Sequence, residues 1–287
     1  MKTTNLTARQ RKAYLFRLIC AAISWMGIGL LAILIFHVTS KGISWLDWQF
    51  LTGFPSRFPE RAGIKSALVG TIWFISMTAC FSIPLGTAAA IYLEEYSRKG
   101  PLGYLIEVNI ANLAGVPSIV YGLLGLVIFV RGMELGRSLL AGSLTMTLLI
   151  LPIIIIAARE AIRAVPNSIR LAAFALGATR WQMLRFHVLP QALPGILTGV
   201  ILALSRAIGE TAPLIMIGAL TYVAFVPEGP LDAFTVLPIQ IFNWASRPQE
   251  DFHHIAATGI IVLLAVLFFM NIIAVSIRHH AEKKGKV

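Results

Sequence analysis

A chain of 287 residues with 57% hydrophobic residues, 13% charged residues and a mean hydropathy of +0.79 is not a water-soluble globular domain. Such a composition belongs in lipid, where the number of spans rather than one core sets the size of the molecule. The formal charge of +11 suggests anionic partners, but a membrane protein carries excess Lys and Arg simply to orient itself, so no nucleic acid is needed to explain it.

The first 17 residues hold Lys2, Arg9, Arg11, Lys12 and Arg17 without an acidic residue, and an apolar run at 18–38 follows. That run is long enough to cross a hydrocarbon core at ~20 residues per helix. His37-Val38-Thr39-Ser40 is a poor cleavage site, so the run reads as an uncleaved first span with the N-terminus inside. Residues 41–65 read as a polar and aromatic loop, with Trp45 and Trp48 suited to the membrane interface. Span two is expected at 67–93 and span three at 105–130. The polar start of span three, Asn109, Asn112, Gly115, Pro117, Ser118 and Tyr121, is expected to face inward, where neighbours satisfy freed backbone groups. Span four is expected at 139–158, span five at 197–223 and span six at 255–277, followed by a basic, mobile tail from Arg278. Cys20 and Cys80 sit in apolar segments away from any His or Asp cluster, which fits buried single thiols and no metal site.

Six spans with an inside N-terminus put both termini, the turn at 94–103 and the polar segment 159–190 on one side. Sixteen Lys and Arg fall there against seven on the other side, with Arg206 within a span, which accounts for all 24. The bias fits the positive-inside rule. The residues describe an all-α polytopic membrane protein with six transmembrane helices.

The polar segment ends in AAFALGATRWQMLRFHVLP, residues 172–190, and is patterned like folded protein. Ile169, Ala172, Ala173 and Leu176 fall at helical spacing, and Gly177 suits the left-handed residue after a helix. Thr179 and Gln182 have capping-box spacing, with Trp181, Leu184 and Val188 forming a second stripe. Pro190 and Pro194 are expected to stop that helix before span five. Two short capped helices suit a docking surface; they also suit helices lying on lipid headgroups.

Span five carries Arg206 and Glu210, four residues apart and so on one helical face. Counted from the expected start of that span, Arg206 lies about 15 Å deep, where a charge costs roughly 2.5–3.5 kcal/mol on insertion scales. A buried ion pair is weak support for stability, which leaves two readings: a structural pair between helices, or an anion path. In the second, the guanidinium fork matches phosphate oxygens and Glu210 keeps the anion from being trapped.

The segment 172–190 resembles the coupling loop of ABC importer permeases. Ala172, Ala173, Gly177, Leu189 and Pro190 stand at the family's positions, while Leu171 replaces its Glu and His187 its Ile. The stretches NLAGVPSIVYGLLGL (112–126), ALGATRWQMLRFHVLPQALPGILTGVILALSRAIGETAPL (175–214) and FTVLPIQIFNWAS (234–246) are similar to the phosphate-specific permeases, in particular to their PstA-like subunits. The resemblance implies a type I ABC importer permease fold with a cytoplasmic coupling helix in the bacterial inner membrane. It implies a core at 67–278, preceded by an N-terminal unit at 1–66 and followed by a basic tail at 279–287. Its partners would be a second homologous permease, a cytoplasmic ATPase dimer and a periplasmic phosphate-binding protein. No phosphate-binding loop motif is present, so ATP and Mg are expected on the partner ATPase, with no cofactor and no catalytic residue on this chain. Permeases for phosphonate, sulfate or molybdate are the alternatives. A secondary anion transporter would be expected to show inverted halves, and no internal repeat is visible. A signalling scaffold would have no use for Arg206 and Glu210 inside a span.

Overall fold

A computed structural model of the chain describes residues 4–97, 100–219 and 222–284. Lys2, Arg98, Lys99 and Lys286, counted above as inside charges, lie outside the described residues. All regular structure among those described is helical. The first helix, α1, runs Thr4–Gly42, longer than its apolar run, and the short α2 (Trp48–Thr52) is capped by the Asp47 carboxylate, which accepts from the Phe50 amide at 2.7 Å. α3 (Lys65–Ile91) ends in a π-helical turn, Tyr92–Tyr96. α4 (Pro101–Ala114) and α5 (Ser118–Gly125) follow, the latter prolonged by a π-helical stretch, Leu126–Gly132. Next come α6 (Leu139–Arg163), α7 (Asn167–Ala175), α8 (Arg180–Met183) and α9 (Leu189–Gly209). The chain closes with α10 (Ala212–Ile217), α11 (Leu237–Ala245) and α12 (Glu250–Lys284).

By length and composition, five of the described helices can cross a membrane, and up to six if the pair around residues 114–118, bent by 101°, counts as one broken span. Span three is therefore not the continuous helix expected at 105–130. Gly115, Val116 and Pro117 interrupt it, and the Tyr121 hydroxyl donates to the Leu113 carbonyl at 2.8 Å across the break. Of the polar residues expected to face inward, Tyr121 is buried and Ser118 half-buried, while Asn109 and Asn112 are exposed on this chain. The tail expected to be mobile from Arg278 is instead helix as far as Lys284. Cys20 and Cys80 are exposed along helices of a lipid-facing bundle rather than buried.

The centre of the bundle is α3, α6 and α9. Lipid tails are as apolar as Leu, so helices associate in membranes by close backbone approach and interhelical hydrogen bonds. Gly195 and Gly199 of α9 lie one turn apart and press on Ala161 and Ala157 of α6; a Cβ on either glycine would collide with the alanine methyl opposite. Between α3 and α6, the Ser143 hydroxyl donates to the Phe74 carbonyl at 3.4 Å. The Thr71 hydroxyl donates to Ala67 within α3 while accepting from the Leu237 amide at 2.9 Å, which ties α11 on. Phe234, from the long loop before α11, is buried and stacks on Phe74 with centroids 6.0 Å apart. That loop also caps α6: the Asp232 and Pro230 carbonyls accept from the Leu139 and Leu140 amides. A second cluster, Phe50, Ile64, Trp244 and Phe252, packs the beginning of α12 against the loops at that end.

Candidate functional site

Two features stand out: the segment between α6 and α9, and the break after α9. In the first, Gly177 has φ +82°, the left-handed conformation expected of it, and the Ala178 amide donates to the Ala173 carbonyl at 3.0 Å. The capping box also forms. The Thr179 hydroxyl accepts from the Gln182 amide at 3.3 Å, and the Gln182 side chain accepts from the Thr179 amide at 2.8 Å. The prolines do not end the second helix. A π-helical turn, Leu184–Val188, joins α8 to α9, so that residues Arg180–Gly209 make one helix of 30 residues. Pro190, directly after the π-helical turn, and Pro194 are both carried inside this helix.

The residues matched to the coupling loop fall on different faces. Ala173 is 4% exposed against the body of the protein, and Leu189 and Pro190 are half-buried, while Ala172 and Gly177 are exposed. Leu184 and Val188 are fully buried and set the segment on the bundle. Leu176, at 88% exposure, does not join a buried stripe with Ala173; it projects with Leu171, Phe174 and Trp181. A folded knuckle bearing four exposed apolar side chains has the character of an interface.

The second feature is the end of α9. Arg206 lies in its last turn, and Glu210 follows the helix with extended backbone, φ −76° and ψ 124°. Span five is thus not continuous to 223. It breaks at Glu210 and Thr211, resumes as α10 with Pro213 in its first turn, and stops at Gly218, φ +86°. Arg206 Nε nonetheless donates to Glu210 Oε1 at 3.1 Å, because the kink keeps the two side chains together. Arg206 is 47% exposed and Glu210 18%. Counted from Leu189 rather than 197, Arg206 is about 25 Å along the helix axis, where the negative end of the helix dipole also favours its charge. α5, the second limb of the bent span, meets this break: Gly122 lies against Pro213 and Met216 so closely that a Cβ would sit 2.7 Å from Pro213 Cα. One residue before Arg206, the Ser205 hydroxyl donates to Asn271 Oδ1 of α12 at 2.8 Å.

A third group went unread in the sequence. Glu94 and Glu95, in the turn after α3, take charge-assisted hydrogen bonds from α6 and α7. Arg159 Nε donates to Glu94 at 2.9 Å while its terminal nitrogens hold Glu107 of α4 at 2.9–3.0 Å. Arg163 adds two 3.3 Å bonds to Glu94, from Nε and Nη2, and Arg170 donates to Glu95 from Nε at 3.0 Å and from Nη2 at 2.7 Å. These charges bound an open polar cavity of about 290 Å³ lined by Glu94, Ser97, Tyr104, Glu107, Arg159 and Arg163. Their sequence signal was only a pair of acids in a short turn and a row of arginines, which orientation alone accounted for.

Long apolar helices, two broken spans touching beside an ion pair, and an exposed capped segment between α6 and α9 define an integral-membrane permease subunit. The chain belongs to the family of binding-protein-dependent transport system inner membrane components, which matches residues 82–284. The phosphate transport system permease protein PstA of Yersinia pestis is 32% identical over 267 residues, covering 93% of this chain and 90% of that protein. The probable ABC transporter permease protein YqgI of Bacillus subtilis is 31% identical over 272 residues, covering 91% of each. A chain of a bacterial alginate ABC transporter solved with its periplasmic protein superposes with a TM-score of 0.67 over 98% of each chain at 17% identity. A chain of the inward-facing MetNI methionine ABC transporter gives 0.54 over 76% of this chain and 94% of that one, at 18% identity. At such identities the likeness is one of fold, the type I importer permease fold; the relatives in sequence are transport permeases, not enzymes.

Proposed function

We propose that this chain is the permease subunit of an ATP-driven importer of inorganic phosphate, working by alternating access with residues 67–278 as its core. The observation that carries the reading is the Arg206–Glu210 pair, held 3.1 Å apart at the break of an apolar helix with much of the guanidinium left exposed. A guanidinium in low dielectric attracts an oxyanion in two-pronged geometry, and the adjacent carboxylate weakens the hold enough for release. The same carboxylate accepts a hydrogen bond from the hydroxyl of HPO₄²⁻, which sulfate lacks. The phosphate permease of Yersinia pestis, similar along nearly the whole chain, supports the same substrate.

In this reading both termini and α7–α8 face the cytoplasm, in keeping with the distribution of Lys and Arg. Ala172, Gly177 and the side chains around them dock on a partner ATPase, which binds ATP and Mg. Ala173, Leu189 and Pro190 hold that surface on the bundle. A second, homologous permease completes the pore, and a periplasmic phosphate-binding protein delivers the anion. ATP closes the ATPase pair, which carries the docking segments inward and switches the opening of the permeases. The test is uptake of labelled phosphate by the reconstituted transporter carrying Arg206→Gln or Glu210→Gln. Uptake is expected to fall at least tenfold in both with assembly intact; near-normal uptake in both removes the pathway role. Competition by sulfate, molybdate or phosphonate identifies the anion.

A further inference from the structure

If α7 and α8 receive the push of an ATPase, something must pass it on, because short helices at the rim of a bundle can also swing independently. α7 packs chiefly on α8 and the π-turn beyond it. Its polar attachment to the rest of the bundle is Arg170, 14% exposed, all three of whose guanidinium nitrogens are occupied. Nη1 donates to the Val165 carbonyl at 2.6 Å and Nη2 to the Ile162 carbonyl at 2.9 Å, which secures α7 to the end of α6. Nε and Nη2 also donate to Glu95 Oε1, 11% exposed, which secures α7 to the turn after α3. The adjacent Glu94 holds Arg159 and Arg163 of α6, and Arg159 holds Glu107 on α4, the first limb of the bent span. The other limb, α5, packs against α10 beside the Arg206–Glu210 break. Two sets of charge-assisted contacts, joined by the backbone between Glu94 and Glu95, therefore lead from the docking helix to the bent span.

We infer that Arg170 is a positioning residue that, through Glu95, makes α7 move as one body with the ends of α3 and α6, so that ATP-driven displacement of the docking segment reaches the pathway. This rests on reading residues 167–190 as the docking segment. Charge-assisted hydrogen bonds screened from water suit such a link, since they are short and hold direction as well as distance. Proximity alone does not demonstrate coupling, so the test has to read coupling itself.

The discriminating variant is Glu95→Ala, which leaves Arg170 its two carbonyl acceptors and so keeps α7 tied to α6 while releasing it from α3. In proteoliposomes with the binding protein, ATP hydrolysis and uptake of labelled phosphate are measured on the same transporter. The expected result is an ATPase that stays bound and hydrolyses at the unmodified rate while phosphate moved per ATP falls tenfold or more. Glu95→Gln, which keeps an oxygen acceptor in place, is expected to lie between, and gives the same ratio should the alanine variant fail to assemble. An unchanged ratio overturns the inference, as does a loss of uptake that merely follows a loss of bound ATPase or of hydrolysis. A cysteine cross-link from Ala172 to the ATPase in the otherwise unmodified transporter separates the two ideas. Its absence sinks the docking reading, whereas its presence with a fully coupled Glu95→Ala sinks only the role of Arg170.

Discussion

At Gly177 a single backbone angle decides whether the docking knuckle keeps its shape. With φ at +82°, any side chain pays the penalty of the left-handed region, about 1 kcal/mol for alanine. No neighbouring atom obstructs a methyl there, so Gly177→Ala tests conformation alone. The expected outcome is roughly fivefold faster amide exchange at Ala178, whose N–H donates to the Ala173 carbonyl, with membrane insertion unchanged. Unchanged exchange would mean that the turn is held from elsewhere. This conformation was legible in the sequence, as was the capping box of Thr179 and Gln182, because both depend on residues within one turn. The Arg206–Glu210 contact was legible too, but for a helix that does not continue: α9 ends at Gly209 and α10 begins only after Thr211. The ion pairs of Glu94 and Glu95 were not legible. Their partners lie 65 to 75 residues away, and nothing local to either acid announces them.

Among the elements, the α6–α9 contact is the one that fixes the centre of the bundle. Gly199 faces Ala157 with no room for another carbon, so Gly199→Leu must push the helices apart at about 1–3 kcal/mol. Detergent-solubilised protein carrying it is expected to unfold at lower temperature, while Gly29→Leu on α1, where nothing lies within 4 Å, leaves the transition in place. An equal response to both changes would show that the contact contributes no specific packing. The small residues spaced four apart on α6 and α9 stood in the sequence and announce such a crossing, yet periodicity of apolar residues hides them, since they break no pattern. The prolines at the start of α9 misled for a related reason. Read as stops, they are accommodated because the π-helical turn before them shifts the hydrogen-bond register by one residue.

On the scale of the molecule, α1 is a long apolar helix with almost none of its span buried in this chain, and Asn109 and Asn112 lie exposed on α4. The apolar α1 suits lipid, whereas polar side chains on a membrane helix are costly there, so Asn109 and Asn112 are expected to face a partner subunit. Copurification from the membrane is expected to bring a second permease and an ATPase with this chain, and phosphate uptake is expected to cease when ATP is withheld. Recovery as a homo-oligomer that conducts phosphate without ATP would overturn that picture. The apolar spans follow from hydropathy, which is additive along a chain; the bends and breaks depend on what each span meets, and so appear only in the fold.

The joining of α8 to α9 through a π-helical turn has a mechanical consequence. Arg180–Gly209 is a single rod of 30 residues, about 45 Å long, with the exposed Trp181 near its foot and Arg206 near its tip. Tilting such a lever by about 5° at the foot sweeps the tip sideways by roughly 4 Å. Arg206 and Glu210 both ride on that end, so a modest rocking at the foot is expected to carry the pair past α12 as a unit rather than to part the two side chains.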